Sequence, residues 1–218
     1  MDAPLIYAIG DIHGCYEKLL ALVAKVRGHA GPRPFHAIFL GDYVDRGPDS
    51  RRVVELVRRL TAGADLHAKW SALRGNHEAM MIAALRGDHA DKWLSNGGKE
   101  TTASYGESKT EMIEHAQWLE ERPTMIRTQN HCFVHAGCSP QYSLEQQPES
   151  VLLWVRGWEK ENHNFKKHIV YGHTPNKEPL LLRYSSGLDT GACYGGPLTC
   201  GVFKADSARG PIEILQAP

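Results

Sequence analysis

The chain has 218 residues, 42% of them hydrophobic, and its 25 lysines and arginines balance its 25 aspartates and glutamates. We expect one domain over residues 1–218, because two domains of this total length would each have a small core. The balanced charge argues against a general attraction to nucleic acid or to a membrane. No segment approaches the roughly 20 apolar residues of a membrane span and the N-terminus does not resemble a signal peptide, so we expect a cytoplasmic protein.

The first part of the chain alternates predicted strands and helices. Apolar runs at 5–9 and 37–40 predict buried strands, and each is followed by a Gly-Asp pair that opens a loop. The spacing of apolar residues predicts one helix over 16–26 and another that starts at Ser50. A third strand near 70–73 is expected to lead through GNHE into a further helix. The order is therefore β-α-β-α-β-α.

The periodic pattern loosens after this third helix. We interpret residues 88–122 as an inserted or cap segment that ends in a helix over 110–122, before Pro123. Within it, the stretch 96–106 is rich in Gly, Ser and Thr, which is typical both of a cover over a substrate and of a disordered surface loop. Its role stays open at this point.

Strand-like pieces dominate the second half of the chain. They are MIRT, HCFVHAG, HIVYGHT, LLLRY, GLDTGACYGG, LTCGVF and IEILQ, with one helix-like stretch in PESVLLWVRGW. Together with the alternating first half, they predict an α/β fold in which two mixed β-sheets pack face to face with helices outside.

Polar residues that suit metal ions follow the predicted strands. Asp11 and His13 are two residues apart, so a strand-like backbone would turn both side chains to the same side, where they could grip one cation. A tight glycine turn with a polar lip explains this pentapeptide, GDIHG, equally well. Asp42 follows the next strand and would lie beside Asp11, where ligands of α/β sheets bind. It could therefore bridge two cations.

The loops after the second and third strands add groups suited to a phosphate and to a proton. Arg46, next to Asp45, presents a planar fork that fits two phosphate oxygens, although a salt-bridged turn arginine would look the same. Asn76 offers a neutral oxygen to a hard divalent ion. The neighbouring His77 cannot easily point in the same direction and is free for proton transfer.

Two further histidines, His135 and His173, each follow a β-like run and have a small neighbour. A lone histidine is more often a core or surface residue than a metal ligand. The order in which the motifs occur along the chain makes a metal-ligand role for these two histidines more plausible than it is for a lone histidine. GDIHG, GDYVDRG, GNHE, VHAG and YGHT, in this sequence from residue 10 to residue 174, resemble the five signature blocks of the calcineurin-like metallophosphoesterases.

The DRG and GNHE forms resemble the phosphoprotein phosphatase branch, which includes bacterial and lambda-type serine/threonine phosphatases. The resemblance implies two divalent metal ions and assigns their ligands. Asp11, His13 and His173 would hold one metal, Asn76 and His135 the other, and Asp42 would bridge them. A set of carboxylate, amide and imidazole ligands without thiolate suits manganese, with iron or zinc as alternatives.

The same resemblance implies roles for the remaining residues. His77 would be the general acid, held by Asp45, and Arg46 would bind the phosphate together with a second arginine downstream, for which Arg156 is the candidate and Arg74 a weaker one. Hydrolysis would proceed by direct in-line attack of a hydroxide that bridges the metals. Tyr194 is expected to be a surface turn residue.

The expected function is a phosphomonoester hydrolase, specifically a serine/threonine protein phosphatase that acts on a phosphorylated protein or peptide. The alternative is a symmetrical bis(5'-nucleosyl)-tetraphosphatase that cleaves a dinucleoside polyphosphate, or another nucleotide or small-molecule phosphatase. Those tetraphosphatases often have Gln in the first block, so His13 favours the protein phosphatase. A non-catalytic metal-binding module is the minor alternative, disfavoured because Asp45, Arg46 and His77 are all present.

Overall fold

The computed structural model describes residues 4–63, 67–160 and 165–218. Two five-stranded mixed β-sheets pack face to face and carry helices on their outer faces. The predicted fold class is therefore confirmed. No helix among the described residues combines the length and the apolar character that crossing a membrane requires.

The first sheet has the strand order β10-β9-β1-β2-β3. Strands β1, β2 and β3 are parallel, whereas β9 is antiparallel to both of its neighbours. Their bounds are Leu5–Ile9 for β1, Phe35–Phe39 for β2, Ala68–Ala72 for β3, Leu198–Lys204 for β9 and Glu213–Ala217 for β10.

The second sheet has the order β4-β5-β6-β8-β7, with β5, β6 and β8 parallel and the two outer strands antiparallel to their neighbours. Its bounds are Met125–Arg127 for β4, His131–Val134 for β5, His168–Tyr171 for β6, Leu180–Leu181 for β7 and Ser185–Gly187 for β8. The three central parallel strands thus end at one edge of the sheet.

The helices cover the two outer faces. They are α1 (Tyr16–Ala30), α2 (Ser50–Ala62), α3 (Asn76–Leu85), α4 (Ala90–Trp93), α5 (Lys99–Tyr105), α6 (Lys109–Glu120) and α7 (Glu149–Trp154). Helices α1 to α6 contribute to a core on the outer face of the first sheet, and α7 packs outside the second. Alternation along the strands explains this layering. Tyr7 and Ile9 of β1 face the helices, while Ile6 and Ala8 pack between the sheets against Phe133.

Residues 96–106 form regular structure, which their composition did not indicate. A turn at Leu94–Gly98 joins α4 to α5 and is kinked at Gly97, whose φ of 108° is not helical. Trp93 and Tyr105 of this segment are buried in the core beside α2 and α3. The helical periodicity is hard to read in the sequence because each helix is short and a glycine interrupts the run.

The prediction of a strand over GLDTGACYGG was wrong. Only Gly187 belongs to a strand. The rest is a loop with a 3-10 helix at Ala192–Tyr194, flanked by Gly191 and Gly195, whose φ values are 69° and 91°. The Gly191 N–H donates to the Asp189 carboxylate at 2.9 Å, a local contact that favours a turn over an extended strand. In LLLRY, only Leu180 and Leu181 are extended.

Candidate active site

The residues predicted as metal ligands converge where the parallel strands of both sheets end. Asp11 and His13 follow β1, Asp42 follows β2 and Asn76 begins α3 after β3, while His135 and His173 follow β5 and β6. All six side chains are buried. The fold therefore brings together residues that are up to 162 positions apart, as in the Asp11 to His173 contact.

The backbone around this point is strained. Seven non-glycine residues in the described part of the chain have a positive φ, and five of them are His13, Asp42, Asp45, Arg46 and His173, with φ between 44° and 73°. Each such conformation costs about 1–3 kcal/mol and persists only where surrounding contacts hold it. Because these positive-φ residues cluster in the loops of the site, the surrounding contacts must fix the orientation of their side chains.

Two glycines of the motifs are required by close approach. A Cβ atom added to Gly75 would lie 2.2 Å from an oxygen of Asp42, and one added to Gly172 would lie 2.0 Å from an oxygen of Asp11. Both distances are far below van der Waals contact. A side chain at either position would displace a carboxylate of the site.

Asp42 is common to two groups of ligand atoms, each within 4.8 Å of one another. One group contains Asp42, His135 and His173. Asn76 belongs with it, because its Oδ1 lies 2.8 Å from His135 Nε2 and 2.9 Å from His173 Nδ1. These four residues together offer one carboxylate, one amide oxygen and two imidazoles.

The second group contains Asp42, His13 and His77. Asp11 lies on the same edge and accepts the His173 backbone N–H at 2.9 Å. The grouping differs from the ligand assignment implied by the resemblance, in which His173 shares a metal with His13. Since the His173 ring contacts Asn76, the geometry favours His173 as a ligand of the position that Asn76 and His135 surround.

The histidine rings are fixed by backbone carbonyls. His13 Nδ1 lies 2.7 Å from the Val44 oxygen and His135 Nδ1 lies 2.9 Å from the Leu40 oxygen. With Nδ1–H donating to a carbonyl, the lone pair of Nε2 faces the site, as in metal-bound histidines. Burial holds the pKa of both rings well below its usual range, so both are neutral and able to bind a cation.

The buried carboxylates also fit divalent cations. Burial raises the pKa of Asp11 well above its usual range, and the nearby Asp189 and Asp42 raise it further. The pKa of Asp42 is raised in the same way, by burial and then by Glu78. A cation would offset both the desolvation and the mutual repulsion of these groups. The donor set of oxygen and imidazole nitrogen therefore fits two hard or borderline divalent ions.

Arg46, His77 and Asp45 form a hydrogen-bonded chain beside the ligands. Arg46 donates through Nη1 to His13 Nε2 at 2.6 Å and through Nη2 to His77 Nε2 at 2.7 Å, while His77 Nδ1 lies 2.7 Å from Asp45 Oδ2. Burial and the Arg46 charge lower the pKa of His77 to about 3. Burial raises the pKa of Asp45 to about 7, opposed by hydrogen bonds from Thr101 and Trp93. The ring is neutral in this arrangement, with Nδ1–H directed at Asp45.

The other predicted residues lie around this centre. Arg156 is exposed and donates to Thr174 at 3.2 Å, next to His173. Burial lowers the pKa of His173 and His77, and the Arg156 charge lowers both further. Arg74 forms a salt bridge of 2.7 Å with Glu149 of α7, which directs it toward that helix. Tyr194 is 65% exposed, and its ring lies 5.7 Å from the Arg46 guanidinium, so it borders the site.

The sequence reasoning missed two buried carboxylates at the site. Glu78 accepts the backbone N–H groups of Asp42, Tyr43, Val44 and Gly75 at 2.8 to 3.3 Å, and thereby ties the second motif to the third. Asp189 follows β8 as Asp11 follows β1 and interacts with Asp11. Both carboxylates occupy positions that the sequence could have singled out. Glu78 belongs to the GNHE motif, and Asp189 comes two residues after a strand, in GLD.

Replacing Glu78 with glutamine is expected to destabilise the metal-free protein by about 1–3 kcal/mol. The amide keeps one acceptor oxygen but turns an NH₂ group toward backbone N–H groups that donate to the carboxylate in the wild type. Urea unfolding at an unchanged m-value would measure the difference. Glu114→Gln, on the exposed face of α6, is the matched control. Equal stability of both variants would contradict the proposed role of Glu78.

Comparison with known proteins places the chain among the calcineurin-like phosphoesterases. The model of the calcineurin-like phosphoesterase family matches residues 4–200. A protein of Salmonella typhimurium named serine/threonine-protein phosphatase 1 is 30% identical over 89% of this chain and 89% of its own length. An Oceanobacillus iheyensis protein named bis(5'-nucleosyl)-tetraphosphatase PrpE, of the asymmetrical type, is 29% identical over 88% of this chain and 85% of its own.

Among solved structures, one described as a diadenosine tetraphosphatase superposes with a TM-score of 0.73. It covers 99% of this chain and 95% of its own, at 23% identity, and therefore supports the fold alone.

Proposed function

The chain belongs to the calcineurin-like phosphoesterase family, and from that premise we propose that it is a two-metal phosphomonoester hydrolase that acts on phosphoserine or phosphothreonine in proteins. One observation carries the proposal. Asp42 is shared by two buried groups of ligand atoms, and Arg46 and His77 lie against the same groups. A purely structural metal site would need neither an arginine that can bind phosphate nor a histidine that can donate a proton beside the ligands.

Asp11, His13 and Asp42 would hold one divalent cation, and Asp42, Asn76, His135 and His173 would hold the other. Manganese is the first choice, with iron or zinc as alternatives, because no thiolate belongs to the donor set. When bound, two divalent cations supply positive charge to the phosphate oxygens and lower the pKa of the attacking water.

Arg46 and Arg156 would orient the phosphate. Arginine donates two parallel hydrogen bonds to phosphate oxygens, and Arg46 already points its guanidinium at the site from the loop after β2. Arg156 would reach the phosphate from the His173 side. Both charges would stabilise the equatorial oxygens of the phosphate, while the attacking water and the leaving oxygen lie in line on opposite sides of the phosphorus.

His77 would protonate the leaving oxygen, passing the proton from Nε2 as the P–O bond breaks. In this structure Nε2 accepts a hydrogen bond from Arg46, so it carries no proton. A bound phosphate would pair with Arg46 instead, and its negative charge would favour the imidazolium form. Asp45 would stabilise that form through Nδ1–H, as carboxylates do for catalytic histidines.

A phosphorylated protein is the first candidate substrate, supported by His13 in the first motif and by the phosphatase-named relative. A dinucleoside tetraphosphate is the second candidate, supported by the relatives named as tetraphosphatases. These are of the asymmetrical type, whereas the alternative drawn from the sequence was the symmetrical enzyme.

Two exposed aromatic rings near the site favour this second candidate. Tyr194 lies near Arg46, and Trp154, 43% exposed, lies 6.3 Å from the His173 ring and 5.9 Å from Lys92. Nucleobases stack on such rings. A groove of about 570 Å³ beside Arg46 is lined by Tyr194 and Lys99, and its size suits a nucleotide.

The test compares manganese-loaded and chelator-treated protein on a phosphoserine peptide and on a dinucleoside tetraphosphate. We expect manganese-dependent release of phosphate from the peptide. Cleavage of the dinucleotide alone would transfer the function to nucleotide turnover, and no metal-dependent turnover of either substrate would overturn the proposal.

Tyr194→Ala separates the two candidates further. Base stacking contributes about 1–3 kcal/mol, so a nucleotide enzyme should lose roughly 5- to 150-fold in kcat/KM, while hydrolysis of a short phosphopeptide should change little. Tyr184→Ala is the control, because Tyr184 is 52% exposed but lies at the opposite end of β8.

A further inference from the structure

The carboxylate of Asp45 has two partners that neither the motifs nor the proposed function includes. Thr101 Oγ1 donates to Asp45 Oδ1 at 2.7 Å, and Trp93 Nε1 donates to both carboxylate oxygens at 3.0 and 3.1 Å. Asp45 is 0% exposed. His77 Nδ1 contacts Oδ2 as well, so the Asp45 carboxylate is surrounded by three hydrogen-bond donors.

The two donors lie on different helices joined by the kinked turn Leu94–Gly98. Trp93 ends α4 and Thr101 lies in α5. The turn packs closely on its surroundings, since a Cβ on Gly98 would lie 2.6 Å from the Trp93 ring and one on Gly97 would lie 2.6 Å from the Arg46 nitrogen. Both glycines therefore allow the indole and the Arg46 backbone to approach the turn.

Thr101 also holds the backbone of Asp45. Its hydroxyl accepts the Asp45 N–H at 2.8 Å, and Ser50 Oγ lies 3.0 Å from the same hydroxyl and 3.1 Å from that N–H. Asp45 has a φ of 73°, a conformation that needs such support. One buried hydroxyl therefore fixes both the backbone and the carboxylate of this residue.

We propose that Trp93 and Thr101 are positioning residues for protonation of the leaving group. By filling the acceptor sites of Asp45 that His77 does not use, they stop the carboxylate from rotating and keep Nδ1–H of His77 paired. Nε2 of the ring then faces the phosphate. The segment around α4 and α5 thus belongs to the acid–base apparatus. This inference rests on the proposed function.

The test uses leaving groups that differ in their need for a proton. Serine alkoxide leaves poorly unless it is protonated, whereas nitrophenolate is a stable anion. In manganese-loaded Trp93→Phe and Thr101→Val, kcat should fall by about 10- to 100-fold on a phosphoserine peptide, a part of the roughly 10²- to 10⁴-fold that a general acid contributes. It should fall much less on p-nitrophenyl phosphate, with KM little changed. Thr101→Ser, which keeps the hydroxyl, should restore the wild-type ratio of the two rates.

One control tests for a loss of packing, and a second shows what loss of the acid itself does. Trp70→Phe removes another buried indole, whose N–H has no hydrogen-bond partner among the described residues, and should leave the ratio unchanged. His77→Asn should show the same leaving-group dependence as the positioning variants. The NMR signal of the His77 Nδ1 proton should shift or exchange faster in Trp93→Phe and Thr101→Val.

An equal fall on both substrates, or no fall, would overturn the positioning role while leaving the proposed function intact. If the wild type does not hydrolyse the peptide, phenyl phosphate replaces it as the poorer leaving group. An absence of leaving-group dependence in His77→Asn itself would overturn the acid role of His77 and this inference with it.

Discussion

Replacing Asp42 with asparagine is expected to lower kcat by about 10³-fold, the effect of losing several kcal/mol of charge stabilisation. Asp42 is the one residue common to both groups of ligand atoms, so its charge would serve both cations. Asparagine has the same shape and can still accept the His77 backbone N–H, which lies 3.1 Å from Oδ1. The loss should therefore reflect charge and metal binding.

Thermal unfolding with and without manganese would separate these effects. Saturating manganese should stabilise the wild type, by about 2.7 kcal/mol at 100 times the dissociation constant, and this increment should largely disappear in Asp42→Asn. The metal-free variant should be at least as stable as the wild type, because a buried carboxylate with a raised pKa is replaced by a neutral group. Asp49→Asn, in the same loop, is the control. An unchanged manganese response would rule out Asp42 as the bridging ligand.

Replacing His77 with asparagine is expected to lower kcat on a phosphoserine peptide by about 10²- to 10⁴-fold, the usual contribution of a general acid. KM should change little, since the phosphate would be held by the cations and by the arginines. The ring lies 2.7 Å from both Asp45 and Arg46, which places it between its orienting group and the phosphate-binding residue.

The same variant tests whether His77 is a metal ligand, because it groups with His13 and Asp42. As the proton donor alone, His77→Asn should keep the manganese-dependent rise in melting temperature. Loss of that rise would instead make His77 a ligand and would contradict its assignment as the acid. His29→Asn, on the outer end of α1, is the control.

Local patterns explain why much of the fold could be predicted. Strand β1 was expected at 5–9 and is Leu5–Ile9, and the helix expected over 110–122 is α6, Lys109–Glu120. Such elements have long apolar patterns or clear end signals. The stretch 96–106 and GLDTGACYGG were harder to interpret, because their structure depends on glycine turns and on buried polar contacts with distant residues.

Strand periodicity and five ordered motifs were enough to predict the fold class, the family and the six residues that meet at the strand ends. How these residues group, and which side chains support them, became visible only once the chain was folded. His173 joins Asn76 through packing of the two sheets, and Trp93 and Thr101 reach Asp45 across about 50 residues. Hydrogen bonds of a single buried carboxylate to helices far along the chain leave no periodic trace in a sequence, since each requires only one suitable donor in the right place.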